Sequence, residues 1–312
     1  MKRDLSIDSL KGFLIILVIL GHLIGSLNAP SVEIWNLIYT FHMPLFVLIS
    51  GYFSKHDKVS LSTIIKPLIV FQAINVTFLL VLGHRFSISY LLIPYWTLWY
   101  LLSLIFWRII LRYSSNYLLN RPYLYLGITI FLSMIVGVIF THGRILSIQR
   151  TFTFLPFFLM GYYFKKDLIK QTIWNNCVSI YLLVILSIII TFVWYPTNSN
   201  LLLRGADPYT INDLPAKVFI FGCTLVFIYS LWNLKRGNTY LAKIGKDSLF
   251  YYLYHGLIIK FMIVPVVKKT ELSITFVSCL FLLFLILMTL HLMNKVKFFR
   301  WFVNPTLKIK LI

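Results

Sequence analysis

Apolar and polar positions in this chain alternate on the scale of a bilayer: runs of near twenty hydrophobic residues are separated by short polar and basic stretches. A hydrocarbon core about 30 Å thick is crossed by about twenty residues of helix, so each run predicts a transmembrane helix. The windows fall near Leu10–Leu27, Trp35–Phe53, Ser62–Leu82, Tyr90–Ile110, Tyr123–Phe140, Thr151–Phe164, Trp174–Tyr195, Asp213–Leu234, Ser248–Val267 and Leu272–Met293. The expected fold is all-α, a polytopic membrane protein with about ten transmembrane helices in one bundle. Residues 1–312 then form a single integral-membrane domain. A porin-type barrel is excluded, because its strands would show only about ten alternating residues each. The sixth window is short, and Pro156 within it and Arg150 at its mouth predict an irregular helix facing protein or a water-filled cavity.

Composition changes little in this picture. Hydrophobic residues make up 59% of the chain and charged residues 12%, far from the roughly one-quarter charged of a soluble domain. The net charge of +20 would invite a nucleic-acid reading if it lay on one face of a soluble fold. Instead it lies in clusters between the apolar runs, so no nucleic-acid partner is expected. Assigning each Lys and Arg to its helix end places most on one side, in the groups Lys2 to Lys11, Lys55 to Lys66, Arg108 to Arg121, Lys165 to Lys170, Lys235 to Lys246 and Lys295 to Lys310. The other side keeps Arg85, Arg144, Arg150, Arg204, Lys217, Lys260, Lys268 and Lys269. By the positive-inside rule both termini are cytoplasmic, and the basic clusters attract anionic membrane lipids. Abundant Ile and Lys with scarce Ala point to an AT-rich bacterial genome, and the bacterial cell membrane is the expected location. The first helix is expected to be retained, since Asp4, Asp8 and Leu27 do not fit a cleaved signal peptide. Cys177, Cys223 and Cys279 fall in separate apolar runs and are expected to be buried packing residues.

Ionisable side chains at membrane depth are costly and therefore functional candidates. On the first helix Lys11 and His22 are eleven residues apart, which at about 100° per residue returns to within about 20° of the same face and separates them by about 16 Å. Asp4 and Asp8 continue that stripe; the competing reading makes them and Lys11 solvated topology charges. His42 on the second helix lies at the same expected depth as His22, so a hairpin could set the two on opposite walls of one cavity. Pro44 follows, and by removing an N–H it strips the Thr40 carbonyl of its helical donor, which another group must replace.

These residues carry a resemblance. Asp8-Ser9-Leu10-Lys11-Gly12 with Gly21-His22, then Phe41-His42-Met43-Pro44-Leu45-Phe46 and Ser50-Gly51-Tyr52-Phe53, are similar to the membrane-bound acyltransferase family 3. The fucose 4-O-acetylase-like branch is the nearest in pattern. Trp99-Tyr100-Leu101, Arg150 with Leu155-Pro156-Phe157-Phe158 and Gly161, and Ser248-Leu249 with Tyr251 to His255 extend it over about residues 1–300. The resemblance implies transfer of an acyl group, acetyl by default, from cytoplasmic acetyl-CoA or another acyl-CoA to a hydroxyl of a polysaccharide or lipid-linked glycan. It implies acyl-CoA as co-substrate, with no cofactor bound. It implies that His22 matches the family's essential first-helix histidine and Lys11 the basic residue eleven positions earlier, commonly Arg. Lysine keeps the charge but loses the planar fork.

Acyl transfer from a thioester needs a base at the hydroxyl, donors for the developing oxyanion and exclusion of water. His22 is expected as general base, or as a transient acyl carrier, with His42 as its catalytic partner. Asp8 and Lys11 are expected at the donor; His42, Trp99, Tyr100 and Arg150 are candidates for oxyanion or sugar contact. His255, counted into the cytoplasmic half, is expected in the donor channel. The alternative reading is a polysaccharide flippase or export component without acyltransferase activity, though neither an inverted repeat nor paired broken helices support it.

Overall fold

The computed structural model describes residues 4–55, 60–140, 142–164, 173–189 and 203–304. Among these residues helix is the only regular element, and the α-helices longer than a single turn are, in chain order, α1 (Leu5–Leu27), α2 (Val32–Ser54), α3 (Ser62–Val81), α4 (Trp99–Tyr113), α5 (Pro122–Ile139), α6 (Ile148–Tyr163), α7 (Ile173–Ile188), α8 (Leu214–Leu234), α9 (Thr239–Lys246), α10 (Ser248–Leu257), α11 (Val264–Thr270), α12 (Phe276–Lys295) and α13 (Lys297–Val303). Eight of the ten expected windows correspond to stretches long and apolar enough to cross a membrane. The chain is thus an all-α polytopic membrane protein. The sixth window is the 16-residue α6, and the seventh is α7, whose expected continuation to Tyr195 lies outside the described residues. The charges at Lys2, Arg3, Lys58, Lys165, Lys166, Lys170, Lys308 and Lys310, and the loop residues Asn198 and Asn200, also lie outside them.

Two windows are not single α-helices. The fourth breaks at Pro94 into a short turn at Ser89–Leu92, a 3-10 turn at Trp96–Leu98 and α4, because the residue before a proline is driven out of the helical region. In the ninth, a π-helical segment, Ile258–Ile263, separates α10 from α11. Such segments widen a helix by one residue and are frequent at functional sites.

The described chain clusters into two compact units, one formed by residues 1–35, 59–102 and 237–312, the other by 36–58 and 103–236. In the first unit α1 is the central element. Asp4 caps it by accepting from the Ser6 N–H at 3.0 Å, Asn28 closes it in the left-handed region, and Leu14, Ile15, Ile19 and Leu23 along it are fully buried. The short amphipathic α9 docks on its first turns. Asn238 caps α9, and the Ser9 hydroxyl lies 2.9 Å from the Asn238 carbonyl and 2.8 Å from its N–H. The backbones meet at two glycines: a methyl on Gly12 would fall 2.0 Å from the Leu241 carbonyl oxygen, and one on Gly245 1.8 Å from that of Asp8. This small-residue contact brings two helices to backbone distance.

In the second unit the C-terminal half of α2 packs on α6 in the same way. A methyl on Gly51 would meet the Phe158 carbonyl oxygen at 1.9 Å, and one on Gly161 that of Leu48 at 1.9 Å. Most of α6 from Thr151 to Gly161 is buried, so this short helix faces protein as expected. The carbonyl freed by Pro44 finds its donor: the Thr224 hydroxyl on α8 lies 2.8 Å from the Thr40 oxygen. Thr224→Val keeps the shape and removes that donor. It is expected to destabilise the protein by about 1–2 kcal/mol, read as a lowered melting temperature in detergent with the activity of the surviving fold intact. Of the cysteines, Cys223 and Cys279 are buried, whereas Cys177 is exposed and corrects that expectation, because it sits on the outer face of α7.

Candidate active site

The first unit brings two histidines together on different helices. His22 stands in the C-terminal part of α1, half-buried, and His255 near the end of α10 is fully buried at 0% exposure. Their rings stack, with centroids 5.3 Å apart and planes inclined by 23°. The Nδ1 of His255 is 3.0 Å from the Tyr251 carbonyl oxygen; a carbonyl only accepts, so Nδ1 carries the proton and Nε2 keeps a lone pair. That Nε2 is buried with no hydrogen-bond partner among the described residues. A buried unpaired polar atom costs stability, which makes this nitrogen a candidate for a working group.

Trp96 closes another side of the pair. Its indole lies edge-on to His22 at 4.6 Å and 6.2 Å from His255. Lys260, in the π-helical segment, sets its Nζ 4.6 Å from the centroid of the same indole. Trp96 has φ of 39°, a left-handed conformation that a bulky side chain adopts only when its surroundings hold it there. On one side Gln72 of α3 holds the approach to it, donating to the Tyr90 carbonyl at 2.6 Å and accepting from the Tyr95 N–H at 2.8 Å. On the other, the Tyr252 hydroxyl donates to the Thr97 carbonyl, and a methyl on Gly256 would stand 3.3 Å from the Thr97 hydroxyl and 3.5 Å from the indole.

Of the residues singled out in the sequence, His22 and His255 form this centre. Placing His255 at a different depth from His22 is corrected. Gly12 and Gly245 mark the contact of α1 with α9, and each lies ten residues before its histidine. Hydropathy windows locate helix edges but not that alignment. Tyr100 reaches the centre through one ring: it stands 5.4 Å from Tyr252, itself 5.9 Å from His255. Trp99 lies one ring further out, 6.1 Å from Tyr100. Asp8 is buried under α9, with Lys11 Nζ 3.5 Å from its carboxylate, so this pair is built into the docking of α9 on α1.

His42 and Arg150 belong to the second unit. The buried His42 has Nδ1 2.6 Å from the Ile38 carbonyl oxygen, and its ring is edge-on to Tyr39 at 4.7 Å. Arg150 donates from Nε to the Arg204 carbonyl at 3.2 Å. A cavity of about 30 Å³ nearby, large enough for a single water, is lined by Tyr39, Thr40, Pro44, Thr224 and the buried Lys217. Among the described residues no group of three or more His, Cys, Asp or Glu side chains could hold a metal ion.

Trp96, Lys260, Gln72 and Tyr252 were not legible as site residues. The signals present were Pro94, which breaks the fourth window two residues before Trp96, and Gln72, one of two amides with Asn75 midway along an apolar run.

The scaffold is a helical membrane bundle that holds a stacked histidine pair. The family model Acyl_transf_3, described as an acyltransferase domain, matches residues 4–293, a stretch that runs through both compact units. The chain belongs to this acyltransferase family. A nodulation protein, NolL, of Mesorhizobium japonicum is 50% identical over 60 residues, 17% of this chain and 16% of that protein. NolL of Sinorhizobium fredii is 45% identical over 60 residues, with the same coverage. The similarity therefore spans about a sixth of the length of these relatives. No solved structure matches.

Proposed function

We propose that this acyltransferase moves an acyl group, acetyl by default, from a cytoplasmic acyl-CoA to a hydroxyl of a cell-surface or lipid-linked polysaccharide, in a bacterial cell membrane with both termini inside. The observation that carries the reading is the stacked pair of His22 and His255, with an unpartnered Nε2 beside an indole and a lysine. In this reading His22 takes the proton of the acceptor hydroxyl as its oxygen attacks the thioester carbonyl. The tetrahedral oxyanion then collapses, the carbon–sulfur bond breaks, and the departing thiolate receives that proton from His22. Lys260, sharing the Trp96 indole with His22, is the cation best placed to favour the negative charge that develops. The His255 lone pair holds the protonated partner or the incoming hydroxyl in line, and Trp96 presents the aromatic surface on which a sugar ring stacks.

His42, Arg150, Trp99 and Tyr100 stay candidates for acceptor contact, and Asp8 and Lys11 for the donor side. The Asp8–Lys11 pair under α9 favours a further role: holding in place the helix whose Lys243 and Lys246 face out from the basic end of the unit. The test is mass analysis of surface glycans from cells with the protein, without it, and with it restored. O-acyl groups are expected to vanish with the protein and return with it. Unchanged acylation accompanied by loss of the glycan from the surface would establish export in place of acyl transfer.

A further inference from the structure

The first unit holds a larger recess at its basic end. It measures about 390 Å³ and lies where the start of α3, the corner between α9 and α10, the end of α12 and α13 meet, within the size range of about 300–1,000 Å³ typical of ligand pockets. Lys246 and Arg300 bring two cations to its wall, both exposed to an entering ligand. Asn294 and Asn304 add amide groups, and Leu249 an apolar side. Asp247 is also on the wall, oriented by Asn294, whose Nδ2 donates to its carboxylate at 2.8 Å. Two cations call for phosphate, whereas a carboxylate fixed beside them calls for a hydroxyl donor. A phosphorylated ribose offers both in one molecule.

We propose that this recess binds the phosphate-bearing adenosine end of a coenzyme-A-type donor; the inference rests on the acyltransferase reading above. Lys246 and Arg300 take the phosphates, and Asp247 accepts from the free ribose hydroxyl. The path of the rest of the donor follows from the helix that lines the recess. Asp247 immediately precedes α10, and His255 lies eight residues further along it, a rise of about 12 Å. One helix thus connects the recess to the histidine pair, and the thioester arm runs beside it. A phospholipid headgroup shares the phosphate chemistry, but it gives Asp247 no role and has no reason to point along α10.

The experiment is equilibrium binding of coenzyme A and of adenosine 3′,5′-bisphosphate to the full-length protein in phosphatidylcholine nanodiscs, repeated with phosphatidylglycerol added. Both probes are expected to bind the wild type, compete with one another and lose affinity as salt rises. Arg300→Gln and Lys246→Gln should each weaken both probes by roughly tenfold, with the melting temperature of the unliganded protein unchanged. Lys243→Gln, one turn away and outside the recess, should bind like the wild type. Coenzyme A affinity unaltered in both lining variants would overturn the assignment while leaving the acyltransferase reading standing. Co-purified phosphatidylglycerol that is lost from Arg300→Gln, with nucleotide affinity unmoved, would make the recess a lipid site. A wild type that binds neither probe and acylates nothing would sink the recess and the underlying reading together.

Discussion

Replacing His22 by glutamine is expected to abolish detectable acylation of the surface glycan while leaving the protein in the membrane at its normal level. A positioned base contributes about 10²- to 10⁴-fold, so loss of that order in a reconstituted transfer assay is the quantitative form of the result. Glutamine is the informative replacement. It preserves a hydrogen-bonding side chain against Trp96 and His255, but its amide cannot accept a proton at neutral pH. A histidine kept only to pack the C-terminal part of α1 tolerates the change, and one that takes up the hydroxyl proton does not. Near-normal acylation in His22→Gln would remove the base from the mechanism proposed here.

The second large effect is expected at His255, where activity should fall while stability holds. His255→Phe keeps a flat ring in the stack and deletes the buried, unpartnered Nε2 together with the Nδ1–H that donates to the Tyr251 carbonyl. Removing the unsatisfied polar atom offsets the loss of that one bond, worth about 1 kcal/mol, so the melting temperature should hold. Activity should fall by about 10²-fold, the contribution of one lost polar group that acts in the transition state, chiefly in kcat. A purely structural histidine gives another pattern: a parallel fall in stability and expression with kcat intact in the surviving protein. His255→Gln should be intermediate, since its amide can restore a hydrogen bond but not the geometry fixed by Nδ1 on the Tyr251 carbonyl.

The motifs that carried the family resemblance divide between chemistry and assembly. Ser9 and Gly12 of the opening motif seat α9 on α1, while Gly51 and Gly161 let α2 and α6 meet backbone to backbone. Small residues such as these stand out in an apolar run, and close helix contact needs the same small residues that a substrate path would. The freed Thr40 carbonyl was legible in advance, since Pro44 removes its donor locally. That Thr224 supplies the replacement was not, because the two positions are 184 residues apart and no local rule links them.

What the sequence determined by itself is whatever depends on one helix and its solvent. Twenty apolar residues must span a bilayer as helix, Pro44 must strip the Thr40 carbonyl of its helical donor, and a histidine at membrane depth is a functional candidate. The tertiary structure decided which groups meet. Rotation and axial offset of one helix against another are set by side-chain packing between distant segments, and hydropathy, which averages over the helix face, carries no such information. So His22 is found stacked on His255, at a depth that window edges misplaced. Trp96, one tryptophan among eight, becomes the wall of the site because Gln72, Tyr252 and Gly256 hold it in a backbone conformation it would not adopt alone.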